Sequence, residues 1–136
     1  MKLNTKSGFT LLEIIIVIII VGVLASLALP RFFKTIEYSR AQEALNNLSV
    51  IRQAMERCAL RANTYVGCDT FTALDITDPT TSPGTHFTYS WPVAAGVGTF
   101  TVLATRNGVD GGAAADTVSI NETGVKVGTG NYQNIK

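Results

Sequence analysis

Residues 9–29 read FTLLEIIIVIIIVGVLASLAL, and this apolar stretch decides the architecture of the chain. Its 21 residues carry a single charged side chain, that of Glu13. As an α-helix they would extend about 31 Å, which matches the roughly 30 Å hydrocarbon core of a bilayer. The stretch therefore predicts an apolar N-terminal helix that is long enough to cross a membrane.

A plain transmembrane anchor or an uncleaved secretory signal is the simplest interpretation of such a helix. Three features weigh against it. A carboxylate at the centre of a membrane helix costs about 2.5–3.5 kcal/mol, although less near an interface, so Glu13 needs a partner. The short cationic segment ends at Gly8, before the apolar stretch, whereas a secretory signal is cut after its apolar region. The stretch also continues past Pro30 into a longer helical pattern.

The charge distribution indicates how the chain is oriented in the membrane. The formal net charge is +1, which suggests neither a nucleic-acid-binding surface nor an acidic tail. Removing residues 1–8, with Lys2 and Lys6, takes the net charge from +1 to −1. These lysines favour a cytoplasmic N-terminus, with everything after residue 29 facing outward. Arg31 and Lys34 weaken that assignment slightly.

The helical pattern extends to about residue 63, apolar all round in its first half and amphipathic in its second. Pro30 removes a backbone donor and Gly22 adds backbone freedom, so both are predicted weak points of the helix. The predicted buried face consists of Ala41, Leu45, Leu48, Arg52, Met55, Ala59 and Ala62. The predicted opposite face includes Arg40, Glu43, Asn47, Arg57 and Arg61.

Beyond residue 63, apolar residues recur at every second position instead of at the helical spacing, which indicates half-buried strands. The predicted strands are residues 86–91, 99–105, 117–121 and 124–128, the last with Val125 and Val127 on its apolar face. Residues 121–124 read NETG and predict a turn between the last two strands. The predicted fold class is therefore α+β, with a long N-terminal α-helix packed against a small antiparallel β-sheet.

The two cysteines, Cys58 and Cys68, form no CxxC pair and have no histidine near them. In an exported protein they predict one disulfide, which would tie the end of the helix to the following loop. Closing so short a loop would contribute about 2–3 kcal/mol. Two free buried thiols are the alternative.

Residues 6–13 read KSGFTLLE. Together with the apolar stretch and Pro30, this segment resembles the processing motif of type IV prepilins and the related pseudopilins, most closely a type IVa major pilin. The rest of the chain resembles that family only in layout. The resemblance implies a leader peptide at residues 1–8, a transmembrane and filament-core helix at 9–29, an amphipathic second half at 30–63, and a globular β headpiece at 64–136.

Specific processing and assembly follow from this resemblance. A dedicated membrane peptidase would cut between Gly8 and Phe9, and the new amine of Phe9 would be N-methylated. Glu13 of one subunit would then meet the Phe9 amine of a neighbour, which neutralises an otherwise costly buried carboxylate. A Glu13 that is simply protonated in lipid is the alternative. The resemblance also implies that the stretch between Gly22 and Pro30 can change from a helix to an extended conformation inside a filament.

We expect neither an enzyme nor a cofactor-binding protein. His86 is the only histidine and has no evident neighbour that would make it a catalytic base. Asp110 and Asp116 flank a Gly/Ala-rich loop, but their spacing lacks the ordered oxygen ligands that calcium needs.

The expected function is a structural subunit of a type IV pilus, a fibre used for adhesion, motility or DNA uptake. Its expected partners are further copies of itself, the prepilin peptidase and methyltransferase, the inner-membrane assembly machinery and, before assembly, the membrane. Specific nucleic-acid binding by the subunit is not expected. The expected location is the inner membrane for the precursor and a cell-surface filament afterwards. The alternatives are a minor pilin, a type II secretion pseudopilin in the periplasm, and a monomeric membrane-anchored binding module.

Overall fold

The computed structural model describes residues 8–135, so the predicted leader residues Lys2 and Lys6 lie outside the described part of the chain. The chain divides into two compact units at the peptide bond between Ile36 and Glu37. The N-terminal unit therefore comprises described residues 8–36, and the C-terminal unit comprises residues 37–135.

One helix, α1, runs from Leu11 to Ala62 and has 52 residues. It ends where Asn63 adopts a positive φ of 57°, a left-handed conformation that commonly terminates helices. Gly22 and Pro30 both lie inside α1, which is continuous through both positions. That these two residues weaken the helix remains a prediction, because Pro30 removes one backbone donor without necessarily ending the helix.

The C-terminal unit contains a four-stranded antiparallel sheet in which each strand pairs with the next along the chain. The strands are β1 Phe87–Ser90, β2 Thr101–Arg106, β3 Thr117–Asn121 and β4 Lys126–Gly128. A short helix, α2, spans Phe71–Leu74 before the sheet. The predicted α+β class, with a long helix and a small antiparallel sheet, is confirmed.

Alternate side chains of the first three strands face the core, as a period of two predicts. The last strand differs, because Val125 and Val127 are 56% and 55% exposed rather than buried. The strand register explains this result. Val127 lies opposite Ser119 on the outer face of the sheet, and the buried Ile120 lies opposite Lys126.

The buried face of α1 overlaps the predicted one but is rotated from it. Ala41, Leu48 and Met55 are buried as predicted, whereas Arg52 is only half-buried and Ala62 is exposed. The other buried positions are Ala44, Ile51, Ala54 and Cys58. Burying the aliphatic Ile51 in place of the neighbouring guanidinium avoids the cost of desolvating a charge.

Polar residues that were assigned to the outer face of α1 instead contact the sheet. Glu43 and Asn47 are half-buried. The Asn47 amide donates a 2.8 Å hydrogen bond to the hydroxyl of Tyr89. These side chains flank the core because β1 and the loop before it present polar partners there. The disulfide between Cys58 and Cys68 is present and joins the last turns of α1 to the following loop.

Candidate assembly site

The N-terminal unit consists mainly of the first part of α1, and its apolar side chains are exposed. Its large apolar side chains, from Phe9 to Phe33, are between 40% and 82% exposed. Among residues 8–135, α1 is the one helix that is long and apolar enough to cross a membrane, judged by length and composition alone. An apolar surface this extensive has to be covered by lipid or by protein.

Glu13 is the one carboxylate of the N-terminal unit, and it closes the first turn of α1. The backbone N–H and the hydroxyl of Thr10 each donate a 3.2 Å hydrogen bond to Oε2 of Glu13. In return, the Glu13 N–H donates to the Thr10 hydroxyl oxygen, also at 3.2 Å. The Thr10 carbonyl accepts the first helical hydrogen bond, from Ile14, so Thr10 is the N-cap residue.

The predicted processing site lies immediately before this cap. Gly8, Phe9 and Thr10 are outside regular secondary structure, and Phe9 is 82% exposed. A Cβ atom placed on Gly8 would meet no atom of residues 8–135 within 4 Å. The packing of this part of the chain therefore does not require glycine at position 8.

A second polar cluster, which the sequence did not predict, lies in the C-terminal unit around Glu37. The buried Arg106 donates through Nε to Glu37 Oε2 at 3.2 Å. The Tyr132 hydroxyl donates to the same oxygen at 2.8 Å, and Arg40 donates to Oε1 at 2.6 Å. These contacts connect α1, the end of β2 and the C-terminal segment.

The electrostatics of this cluster favour an ionised Glu37. Burial, the largest single influence, opposes ionisation, but hydrogen bonds from Arg106, Tyr132 and Arg40 outweigh it and lower the pKa of Glu37 to about 2. The pKa of Tyr132 is raised, chiefly by burial and then by its hydrogen bond to the Glu37 carboxylate. A charged carboxylate with three donors is a satisfied structural group rather than a poised acid.

His86 takes part in a neighbouring network of charged side chains. Its Nδ1 lies 2.8 Å from Oε2 of Glu43, and its Nε2 lies 3.4 Å from Oδ2 of Asp110. Arg40 approaches that same Asp110 oxygen at 3.1 Å. The network holds the loop after β2 against α1.

The carboxylate of Asp116 is likewise hydrogen-bonded within the chain. Its two carboxylate oxygens accept 2.8 Å hydrogen bonds from the backbone N–H and the side-chain amide of Asn131. Within residues 8–135 there is no group of three or more His, Cys, Asp or Glu side chains arranged to hold a metal ion. Asp110 and Asp116 thus serve as acceptors for protein donors in this part of the chain.

Two features of these sites were missed from the sequence, for different reasons. The Thr10 cap had a local signal, since Thr-x-x-Glu before an apolar run is a capping box. The Glu37 cluster had no local signal, because Arg106 and Tyr132 lie 69 and 95 positions from Glu37.

Two family models together match residues 3–117 of the chain. The model of the prokaryotic N-terminal methylation motif matches residues 3–29. The model described as type IV minor pilin ComP, DNA uptake sequence receptor, matches residues 30–117.

Individual relatives come from secretion systems and from pili. The chain is 33% identical over 95 residues to the type II secretion system core protein G of Aeromonas hydrophila, covering 70% of this chain and 57% of that protein. It is 30% identical over 95 residues to the type IV major fimbrial protein FimA of Dichelobacter nodosus, covering 69% and 61%. The chain therefore spans little more than half the length of these curated relatives.

A solved structure supports the fold. The non-core minor pilin PilV of Neisseria meningitidis aligns with a TM-score of 0.50 and 20% identity, covering 68% of this chain and 85% of that one. At this identity the likeness concerns the fold alone. Taken with the match over residues 30–117 and the N-terminal motif, it leads to one conclusion: the chain belongs to the type IV pilin and pseudopilin family.

Proposed function

We propose that this chain is a structural subunit of a type IV pilus, assembled into a helical filament through its N-terminal helix. In this proposal the prepilin peptidase cuts between Gly8 and Phe9, and the amine of Phe9 is methylated. Before assembly the subunit resides in the inner membrane. The assembly machinery then extracts it, and further copies of the chain replace the lipid around its apolar helix. Adhesion, motility or DNA uptake would then be properties of the assembled fibre.

The exposed apolar helix with its single carboxylate is the observation that carries this proposal. Lipid can cover the apolar side chains of residues 9–29, but its hydrocarbon core offers no partner for Glu13. A neighbouring subunit offers both an apolar surface and, once residues 1–8 are removed, the Phe9 amine. A lone buried carboxylate is costly, whereas one paired with a cation is tolerable and fixes the axial register.

The accessible peptide bond next to the cap supports the processing step. Phe9 is exposed and lies outside α1, so the bond to Gly8 is in non-helical backbone. Since the fold itself leaves room for a side chain at Gly8, we assign the need for a small residue there to the peptidase.

A minor pilin or secretion pseudopilin is the second candidate. The family model over residues 30–117 describes a minor pilin, and the relative from Aeromonas hydrophila is a secretion protein. Such a subunit would prime or extend a filament, which would lie in the periplasm for a pseudopilin. A major pilin forms a cell-surface fibre instead and dominates material sheared from cells.

Electron microscopy of sheared filaments, combined with mass spectrometry of their subunits, tests the proposal. We expect this chain in the filaments, starting at Phe9 and carrying one added methyl group. Abundance in the sheared fraction distinguishes a major pilin from the second candidate. Filaments whose subunits retain Met1, or a chain found only as an anchored monomer, would overturn the proposal.

A further inference from the structure

We propose that the C-terminal unit carries a head-to-tail interaction surface for a second copy of the chain. A cleft around Arg57 and Arg61 of one copy receives the loop tip at residues 109–110 of the next copy. This inference rests on the proposed function, because a filament brings copies of the chain together in one repeated orientation. It concerns contacts between C-terminal units and does not depend on the pairing of Glu13.

Arg57 and Arg61 are the arginines of this unit that bind no carboxylate of the described chain. Residues 37–135 contain five arginines, and Arg40, Arg52 and Arg106 each form a salt bridge. The other two are exposed and have no carboxylate oxygen of residues 8–135 within 4 Å. Like charges four positions apart disfavour a helix, and the helix dipole compensates only Arg61, in the last turn. The charge of Arg57 therefore calls for a partner outside its own chain.

The cleft beside these guanidinium groups also has apolar walls. It has a volume of about 310 Å³ and is lined by Arg57, Leu60, Arg61, Leu74 and Asp75. Leu60 is 86% exposed, more than any other large apolar side chain of residues 8–135. Asp75 supplies one negative charge against two positive ones. The segment that complements this lining combines an apolar side chain with a carboxylate, which arginine binds through paired hydrogen bonds.

The loop between β2 and β3 presents that combination. Val109 is 49% exposed, and the side chain of Asp110 is 56% exposed. The contacts of the Asp110 carboxylate with Arg40 and His86 both use Oδ2. A further cation can therefore approach this carboxylate without displacing either contact.

The same loop is held in place before a partner arrives. A Cβ atom added to Gly112 would lie 2.6 Å from Cζ of the buried Arg106, so the loop packs directly on that guanidinium. Asp110 has a left-handed φ of 53°, which aspartate adopts more readily than most residues. A loop that is ordered in advance loses little conformational entropy when it binds.

The cleft and the loop are too far apart to meet within one chain. Asp110 contacts Arg40, whereas the cleft begins at Arg57, 17 positions further along α1. At 1.5 Å per residue this separation is about 26 Å. A contact between them therefore joins two copies through two different surfaces. Such a heterologous contact can propagate from copy to copy, as an open helical filament requires.

Cysteine crosslinking in sheared filaments tests the inference. Leu60→Cys and Val109→Cys are combined in the full-length precursor, which is expressed in place of the wild type. After mild oxidation, these filaments should give a ladder of disulfide-linked multimers on a non-reducing gel. Each single variant should remain monomeric, because the two surfaces differ. Leu60→Cys with Val125→Cys is the matched control, since Val125 is 56% exposed but lies outside the loop, and it should give no ladder. Filaments of the first pair without a ladder would overturn the inference.

A charge variant keeps the inference testable if the cysteine pair does not assemble. Arg57→Gln with Arg61→Gln should be processed at Phe9 and keep its urea midpoint, but yield several-fold fewer sheared filaments. Arg57→Lys with Arg61→Lys keeps both charges and should lose less. Equal losses from the two variants would overturn a contact based on charge.

The remaining outcomes separate this surface from other functions. Wild-type filament yield from the glutamine variant would overturn the inference. If that variant also lost affinity for a labelled DNA duplex, Arg57 and Arg61 would serve nucleic acid instead of a second copy. By contrast, a processed Glu13→Ala variant with wild-type yield would overturn assembly through Glu13, whatever the two arginines do.

Discussion

The hydroxyl of Tyr132 donates a 2.8 Å hydrogen bond to Oε2 of Glu37 across 95 positions of sequence. Arg106 meets the same oxygen from the end of β2. One carboxylate on α1 therefore holds together the helix, the sheet and the C-terminal segment, and the stability of the C-terminal unit should depend on its charge.

Acid should weaken this unit through Glu37. Its pKa of about 2 in the folded chain lies below the unfolded value of 4.5, so its contribution is complete above pH 4.5 and is lost as the pH falls toward 2. We expect Glu37→Gln to be about 2 kcal/mol less stable than wild type near neutral pH. The difference should fall to about 0.4 kcal/mol near pH 2 and vanish below it. Urea unfolding of the full chain in micelles, followed by the fluorescence of Trp91, measures it.

Removing the buried cation should be more severe. Arg106 is 1% exposed, so Arg106→Met would leave Glu37 without its main partner. We expect a loss of about 3–5 kcal/mol of unfolding free energy, the usual cost of breaking a buried pair. Arg57→Met is the matched control, because Arg57 is exposed on the same unit, and it should change stability by less than about 0.5 kcal/mol. Equal effects of the two variants would refute this role of Arg106.

The disulfide should stabilise the end of α1. Cys58 and Cys68 close a loop with a sequence separation of 10, which corresponds to about 2–3 kcal/mol. Peptide mapping without reduction should recover both cysteines in one linked fragment from material made in the native host. Cys58→Ser should lower the urea midpoint of the C-terminal unit without changing membrane insertion. Alkylation of both thiols without prior reduction would contradict the crosslink.

DNA binding by the isolated subunit should be weak. Residues 37–136 contain seven Lys or Arg and nine Asp or Glu, a net charge of −2. Arg40, Arg52 and Arg106 are already engaged with carboxylates. We therefore expect a Kd no tighter than about 10⁻⁶ M at physiological salt, the range of non-specific binding. Fluorescence anisotropy with a labelled duplex measures it, and a Kd near 10⁻⁸ M would establish a specific receptor instead.

Local patterns predicted the elements of the fold, and contacts distant in sequence determined the details. The spacing of apolar residues correctly predicted a half-buried strand near residues 86–91, and Phe87 and Tyr89 are buried there, because a period of two is a property of the strand alone. The same alternation misplaced Val127, whose face depends on its pairing with Ser119 across the sheet.

The same distinction between local patterns and distant contacts applies to α1. The sequence predicted the length of α1, but the buried face of this helix depends on which of its residues the sheet contacts. Ile51 is therefore buried where the sequence had predicted Arg52 to be buried. Glu13 was selected from the sequence as the candidate assembly residue because a lone charge in an apolar stretch is conspicuous. The orientation of its carboxylate required the geometry of Thr10.

Replacement of Glu13 by alanine, with a count of surface filaments, tests the central claim most directly. The variant loses a charge from an apolar helix, so it should insert into the membrane at least as well as the wild type. Processing at Phe9 is verified first by mass spectrometry, so that a failure of assembly is not a failure of cleavage. We expect correctly processed Glu13→Ala to form few or no filaments, because subunits lose the contact that fixes their register. Wild-type filament numbers from a correctly processed variant would contradict assembly through Glu13 and favour a monomeric anchored module.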